Sequence, residues 1–500
     1  MSSAPGPGAR AGNGARRAKK LVLAVIDSLK PEMLDRAIAA GRAPVLAGLV
    51  DRGLYVPDCV AAFPSLTPVC AASIATGLEP HRHLIPSMNW YHRGEERYVE
   101  YGSSFHSAQQ FGFLSQLYDT VYNLNMAHLA RDERTVFEYL EDAGLRTAGT
   151  TYLIYRGRTR HPLAVDGMYP RLARAGGIRH ATWGPTELFY ADLFSSQRTP
   201  CRSMLGRPGM RDQYTGCVGA HMMENDLFDF LLFSLPDNDT YSHRRGPYAQ
   251  MASIAGADRA LERLVHTAGG LDAFLEDHAV IVMSDHSQSS VEQTTSVVDA
   301  LGDWRVLAPS DRHEADVAVC PVGRFAAVYA LDPEQRDRVA PKVAERLVEA
   351  EGVDLVARRQ HGEGIVRSQA GEVRFAPGDE VEDRRGRRWS VAGDLAVLGL
   401  RTGDGKVSSR AYPDALGRLW SALECRRSGD VLVSAAKGFE YADWGGFHHL
   451  GGGSHGGLDR GDSLGVLILC GLEEEAGDRE RQWALPDVTP RILRHFGVDA

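Results

Sequence analysis

Five hundred residues, 43% of them hydrophobic and 24% charged, have the composition of an ordinary soluble globular protein. The length exceeds that at which a single core usually stops growing, so one large domain with insertions, or two to three units, is expected. A formal charge of −9 excludes a surface that coats nucleic acid, and leaves local basic patches such as His243, Arg244 and Arg245 to meet an anionic substrate.

The first stretch, MSSAPGPGARAGNGARRAKK, is rich in Gly, Ala, Pro and Arg with little to pack, and residues 1–19 read as a disordered tail. The apolar run that follows has about six residues before Asp27, fewer than the 7–15 of a secretory signal, and no run approaches the roughly 18 of a membrane span. A cytoplasmic protein with no membrane contact is therefore expected. Leu21 to Ile26 form a buried strand, Asp27 sits at its carboxyl end, Pro31 starts a helix and Gly41 stops it. A second helix is expected in the DRGLYVPDCVAAFPS region. In LTPVCAASIATGL, Pro68 suits the first helical position and Gly77 the position past the end, which places Thr67 at a helix N-terminus. The positive end of that helix favours a phosphate or alkoxide.

Residues from about 80 to 220 are less regular and read as a cap-like insertion of loops and short elements over the strand ends. Within it, RDERTVFEYLEDAGLRTAGTTYL is a helix, a Gly144 stop and a strand that continues the sheet. Trp90, Tyr91, Tyr98 and Tyr101 read as packing aromatics, with base stacking as the alternative. The core resumes with the strand in DLFDFLLFSLPD, the helix in AQMASIAGADRALERLVHTAGG, the strand HAVIVMSD, and a strand, helix and strand from Arg324 to Arg359. A β-rich insertion is expected over about 360–445, after which DSLGVLILCG and DVTPRILRHFGV close the core. Alternating strands and helices imply an α/β fold: a doubly wound, mainly parallel sheet with helices on both faces, in a single catalytic domain over residues 20–500. No G-x-G-x-x-G or P-loop lysine follows a strand, so Walker-type and dinucleotide binding are not supported. Seven cysteines (Cys59, Cys70, Cys201, Cys217, Cys320, Cys425, Cys470) lack C-x-x-C spacing and read as buried thiols rather than a disulfide framework or thiolate zinc site.

The chemistry lies in side chains at strand ends and glycine-rich turns: Asp27, Thr67, Asp239 with His243, Asp285 with His286, and His455. Open α/β sheets bind ligands at the carboxyl ends of their strands. Asp239 and His243 are four apart, so a helical turn would bring both to one ion, a spacing Asp237 lacks. His455 is flanked by glycines in GGGSHGG, which let the backbone approach a crowded site. Carboxylate and imidazole ligands suit divalent metals, and such metals suit phosphoryl chemistry.

Together, Asp27, FPSLTPVCAASIATGLEPHRHLI, PDNDTYSHRRGP, SDH and GGSHGG resemble the alkaline phosphatase superfamily, in its nucleotide pyrophosphatase/phosphodiesterase branch. The resemblance spans nearly the whole chain. It implies a two-metal site, zinc with manganese or iron as alternatives, in which Asp239, His243 and His455 hold one ion, Asp27, Asp285 and His286 hold the other, and Thr67 bridges as nucleophile. Asn89 falls where the family places an Asn that donates to a phosphoryl oxygen. The departures are Ser287 in place of the glycine of SDHG, Cys70 where an Asn often follows the nucleophile, and EPHRHLI without its glycine. The implied activity is hydrolysis of a small-molecule phosphodiester or pyrophosphate, nucleotides among the candidates, through a phosphothreonine. The alternatives are a phosphomonoesterase or phosphonate hydrolase of the superfamily, a mutase, and a catalytically silent metal-binding relative.

Overall fold

The structure is a computed structural model that describes residues 18–165, 168–175, 177–191, 193–203, 210–310 and 314–499. Most of the expected N-terminal tail, residues 1–17, lies outside the described residues. Lys19 is held: its Nζ donates to the Leu275 carbonyl, and its own carbonyl faces His495 Nε2 at 2.7 Å.

An eight-stranded sheet forms the centre, in the order Leu54–Val60, Leu464–Cys470, His278–Met283, Lys20–Ile26, Phe230–Leu235, Thr147–Gly149, Glu187–Tyr190 and Phe194–Ser195. The run from His278–Met283 to Glu187–Tyr190 is parallel. Leu464–Cys470 joins antiparallel to it. Alternation along Lys20–Ile26 divides the core: Leu21, Leu23 and Val25 face one apolar cluster and Val22, Ala24 and Ile26 the other. Helices cover both faces, Thr67–Thr76 and Val136–Asp142 on the first, Pro31–Ala39 and Met251–Thr267 on the second. A strand buried on both faces reads as a continuous apolar run, which is why LVLAVI, FLLFSL and HAVIVM were visible.

Several expectations need correction. The helix expected in DRGLYVPDCVAAFPS ends at Arg52, and Leu54–Val60 is an edge strand. Its register shifts between Val56 and Cys59, around Pro57, and proline is tolerated at such an edge irregularity. Phe325–Ala330 and Val353–Gln360 lie outside the central sheet. They belong to a second sheet of ten strands that begins at Val306–Leu307 and runs without interruption into the strands of Glu363–Ser409. The cause is local: Gly323, at φ +56, turns Val317–Val322 back onto Phe325–Ala330 as an antiparallel hairpin. Five cysteines are buried thiols as expected, but Cys201 and Cys217 form a disulfide. Their Cα atoms are 5.8 Å apart, a proximity that folding creates and that no motif announces.

Candidate active site

Three parallel strands end at one edge, and each delivers a carboxylate there. Asp27 follows Lys20–Ile26, Asp285 follows His278–Met283, and Asp239 lies in the first turn of helix Asp237–Arg245, which follows Phe230–Leu235. The fourth contributor, Thr67, is the first residue of Thr67–Thr76, with Pro68 behind it and Gly77 at φ +71 closing the helix. His455 comes from a loop between the two sheets. That loop is fixed by the second sheet, since Arg324, directly after the Gly323 turn, donates its backbone N–H to the His455 carbonyl at 2.7 Å. The wholly buried Arg324 guanidinium pairs with Asp462 at 2.6 Å and Asp459 at 2.7 Å farther along the loop.

The side chains converge. Asp27, Asp285 and His286 offer ligand atoms within 4.8 Å of one another, and so do Asp239, His286 and His455. His286 Nε2 is 3.4 Å from Asp285 and 3.7 Å from Asp27, and it is hydrogen-bonded to Thr67 Oγ1 at 3.1 Å. His243 Nε2 is 3.3 Å from Asp239, and His455 Nε2 is 3.6 Å from the same oxygen. The structure thus gathers the first expected trio intact. In the second group His286 stands with Asp239 and His455, their rings stacked at 3.9 Å, and His243 joins through Asp239. Asp237 lies elsewhere: it pairs with Arg211 and accepts from the backbone of Asp212.

The three imidazoles share one arrangement. His243 Nδ1 faces the Gly453 carbonyl at 2.8 Å, His455 Nδ1 the Ser65 carbonyl at 2.8 Å, and His286 Nδ1 the Ser287 carbonyl at 3.1 Å. A carbonyl only accepts, so each Nδ1 carries a proton, and each Nε2, on the carboxylate side, is the atom left to meet a carboxylate or a metal ion. Burial, reinforced by the charges of Asp285 and Asp239, pushes the Asp27 carboxyl well above its usual range. Asp285 is raised chiefly by burial. Asp239 is also desolvated, yet His243, His455 and His286 hold it well below the usual range. Burial and the neighbouring His286 push His455 well down. Three carboxylates brought together in a buried site are costly unless a cation is shared among them. This donor set of carboxylate oxygens and imidazole lone pairs fits zinc, manganese or iron.

Asn89 is wholly buried on the Asn89–His92 strand, and neither its amide nitrogen nor its oxygen has a hydrogen-bond partner among the described residues. Met88 beside it lines a small cavity that reaches His243 and His455. The aromatics pack: Trp90 Nε1 donates to Tyr101 Oη, and Tyr91 meets Tyr98 edge to face. Ser287 is wholly buried, with its Oγ facing Lys30 Nζ, so the departure from glycine is accommodated. Arg244 and Arg245 are exposed.

Several contributors carry no sequence signal. Ser28, at φ +58, donates its hydroxyl to Asp239 at 2.8 Å and its N–H to Asp285 at 3.1 Å. Gln288 Nε2 donates to the same Asp239 oxygen at 2.6 Å. His449 stacks on His243 at 4.0 Å with its Nδ1 on buried Glu440.

A family model described as type I phosphodiesterase/nucleotide pyrophosphatase matches residues 21–394. Comparison with curated protein sequences finds no match. Among solved structures, an inactive form of murine ectonucleotide pyrophosphatase/phosphodiesterase 5 in complex with AMP superposes with a TM-score of 0.58 at 11% identity, over 96% of each chain. The human protein of that name gives 0.57 at 12%, also over 96% of each. Phosphonoacetate hydrolase from Sinorhizobium meliloti 1021, in complex with phosphonoformate, gives 0.55 at 18%, over 98% of each. At these identities the structural likenesses establish the fold, and the family match supplies the activity class. The chain belongs to the type I phosphodiesterase/nucleotide pyrophosphatase family of the alkaline phosphatase superfamily and is a hydrolase of phosphoester bonds.

Proposed function

We propose that the protein is a two-metal phosphodiesterase, acting on a small-molecule diester or pyrophosphate with Thr67 as nucleophile. The observation that carries this reading is the common orientation of His243, His286 and His455, each with Nδ1 on a backbone carbonyl and Nε2 toward Asp27, Asp239 and Asp285. Asp239, His243 and His455 would hold one divalent ion and Asp27, Asp285 and His286 the other, with the Thr67 hydroxyl beside them at 3.1 Å from His286 Nε2. When bound, the ions lower the pKa of the Thr67 hydroxyl and neutralise charge on the transferring phosphoryl group. Thr67 Oγ attacks phosphorus, its new P–O bond forming as the bond to the leaving oxygen breaks, and water later cleaves the phosphothreonine. The N-terminus of Thr67–Thr76 favours the negative charge that gathers there. Asn89, buried with an unpartnered amide, donates to a phosphoryl oxygen.

The test is hydrolysis of bis-p-nitrophenyl phosphate beside p-nitrophenyl phosphate, after chelation and replacement of zinc or manganese, with Thr67→Ala as control. The expected result is metal-dependent preference for the diester, abolished in Thr67→Ala while metal content stays near that of the parent. Preference for the monoester moves the protein to another branch of the superfamily, and undiminished turnover in Thr67→Ala removes the nucleophile. No helix among the described residues is long and apolar enough to cross a membrane. A cytoplasmic placement has the Cys201–Cys217 disulfide against it, since such bonds persist in oxidising compartments.

A further inference from the structure

Tyr152 is 6% exposed, and its hydroxyl is buried without a hydrogen-bond partner among the described residues. Such a group is costly, because a buried hydroxyl forfeits its water and gains nothing in return. Its place makes the orphan informative. Tyr152 follows the Thr147–Gly149 strand at the edge where the neighbouring parallel strands deliver Asp27, Asp239 and Asp285. Its ring shares an apolar cluster with Val69 and Cys70 of the nucleophile helix, and its phenol feels the Asp285 and Asp27 carboxyls. Cys70 is three residues after Thr67 in the same helix, hence on the same face as the nucleophile. Tyr152 therefore lies at the carboxylate edge, on the face of the sheet that the nucleophile helix covers.

The segment that carries it is pinned from both sides. Thr150 donates its N–H to the Leu232 carbonyl and accepts from Ser234 N, Thr151 accepts from Ala191 N, the Leu153 carbonyl accepts from Asn125, and Tyr155 N donates back to Asn125. A hydroxyl on so fixed a backbone is pre-organised. Burial raises the phenol well above its ordinary pKa, so it remains a neutral donor.

Four cations around the site are already committed, while Arg244 and Arg245 beside His243 are exposed to solvent. Arg211 holds Asp237, Lys30 faces Ser287 Oγ and the Gln288 and Gly461 carbonyls, Arg324 holds Asp459 and Asp462, and Arg418 donates to the carbonyls of Ala62, Pro413 and Leu458. Neutral donors suit a phosphoryl group that carries one negative charge, as in a diester, better than the dianion of a monoester, which draws on cationic groups. We propose that the Tyr152 hydroxyl donates a hydrogen bond to a non-bridging phosphoryl oxygen of the substrate and, with Asn89, fits the site to a phosphodiester monoanion. This inference rests on the phosphodiesterase reading above and names the substrate charge that reading leaves open.

The test is Tyr152→Phe, which keeps the buried ring and removes only the hydroxyl. Two readouts accompany thermal unfolding and metal content: turnover of bis-p-nitrophenyl phosphate, and calorimetric binding of dimethyl phosphate, an unreactive monoanion, to the metal-loaded protein. Loss of an unpartnered hydroxyl should leave the unfolding temperature equal or higher. Turnover efficiency should fall by about 10² at a site where one oxyanion donor is lost, and dimethyl phosphate should bind several-fold more weakly. An equal or more stable variant with unchanged turnover and unchanged dimethyl phosphate affinity overturns the proposal and leaves the phosphodiesterase reading standing. A parent inert toward every phosphoester removes that reading, and the dimethyl phosphate arm then decides Tyr152 alone.

Discussion

At the scale of single residues, the site is organised by hydrogen bonds from outside the motifs. Each imidazole is oriented by a carbonyl, two of them remote in the chain: Gly453 for His243 and Ser65 for His455. Ser28 has the widest reach, since its hydroxyl steadies Asp239 and its backbone N–H steadies Asp285, one contact to each ligand group. Partners of this kind typically contribute 10–100-fold to metal affinity or activity. Ser28→Ala should therefore lower metal affinity or turnover efficiency by about tenfold with little change in unfolding temperature, as checked by metal titration and steady-state kinetics. Parent-like values in both would assign the Asp239 geometry to Gln288 alone.

At the scale of elements, helix Pro44–Arg52 has no side-chain cap of its own, and the Asp258 carboxylate of Met251–Thr267 supplies one by accepting from Val45 N at 3.3 Å and Leu46 N at 2.8 Å. Burial outweighs those bonds and pushes Asp258 up to about 6. A carboxyl whose folded-state pKa is raised holds its proton more tightly in the folded protein. Its contribution is thus fully present below the unfolded value near 4 and is lost as pH rises through about 6. Between pH 4 and pH 7 the parent should lose about 2 kcal/mol relative to Asp258→Asn, by the worth of one pKa unit. Denaturant unfolding of both proteins across that window reads it, and parallel curves would show that Asp258 titrates normally.

At the scale of the whole molecule, the two sheets meet around the loop that carries His455. Arg324 is the fastening: its guanidinium binds Asp459, Asp462 and the carbonyls of Ala435, Ala436 and Phe439. Arg324→Ala leaves Asp462 buried without its partner, and breaking such a pair costs about 3–5 kcal/mol. The variant should unfold at markedly lower temperature and, on the proposed two-metal reading, lose metal affinity, whereas Ser28→Ala loses affinity alone. Calorimetric unfolding with metal titration separates the two, and a parent-like Arg324→Ala would show that the loop holds itself.

The sequence by itself determined the central sheet and which carboxylate, imidazole and hydroxyl side chains stand at its strand ends and turns. Strands buried on both faces must be continuously apolar, and carboxylates at their ends stand out against such runs, as Asp27 and Asp285 do after LVLAVI and HAVIVM. Thr67 was legible because Pro68 and Gly77 bracket its helix in ways that backbone geometry imposes. Tertiary structure decided the rest. The hairpin at Gly323 assigned Phe325–Ala330 to a second sheet, because antiparallel pairing depends on a turn and a partner rather than on apolar content. Only the folded chain placed Cys201 beside Cys217, set His286 between two groups of carboxylates, and left Tyr152 and Asn89 buried without partners. Those are relations between residues far apart in sequence, and local patterns carry no record of distance through space.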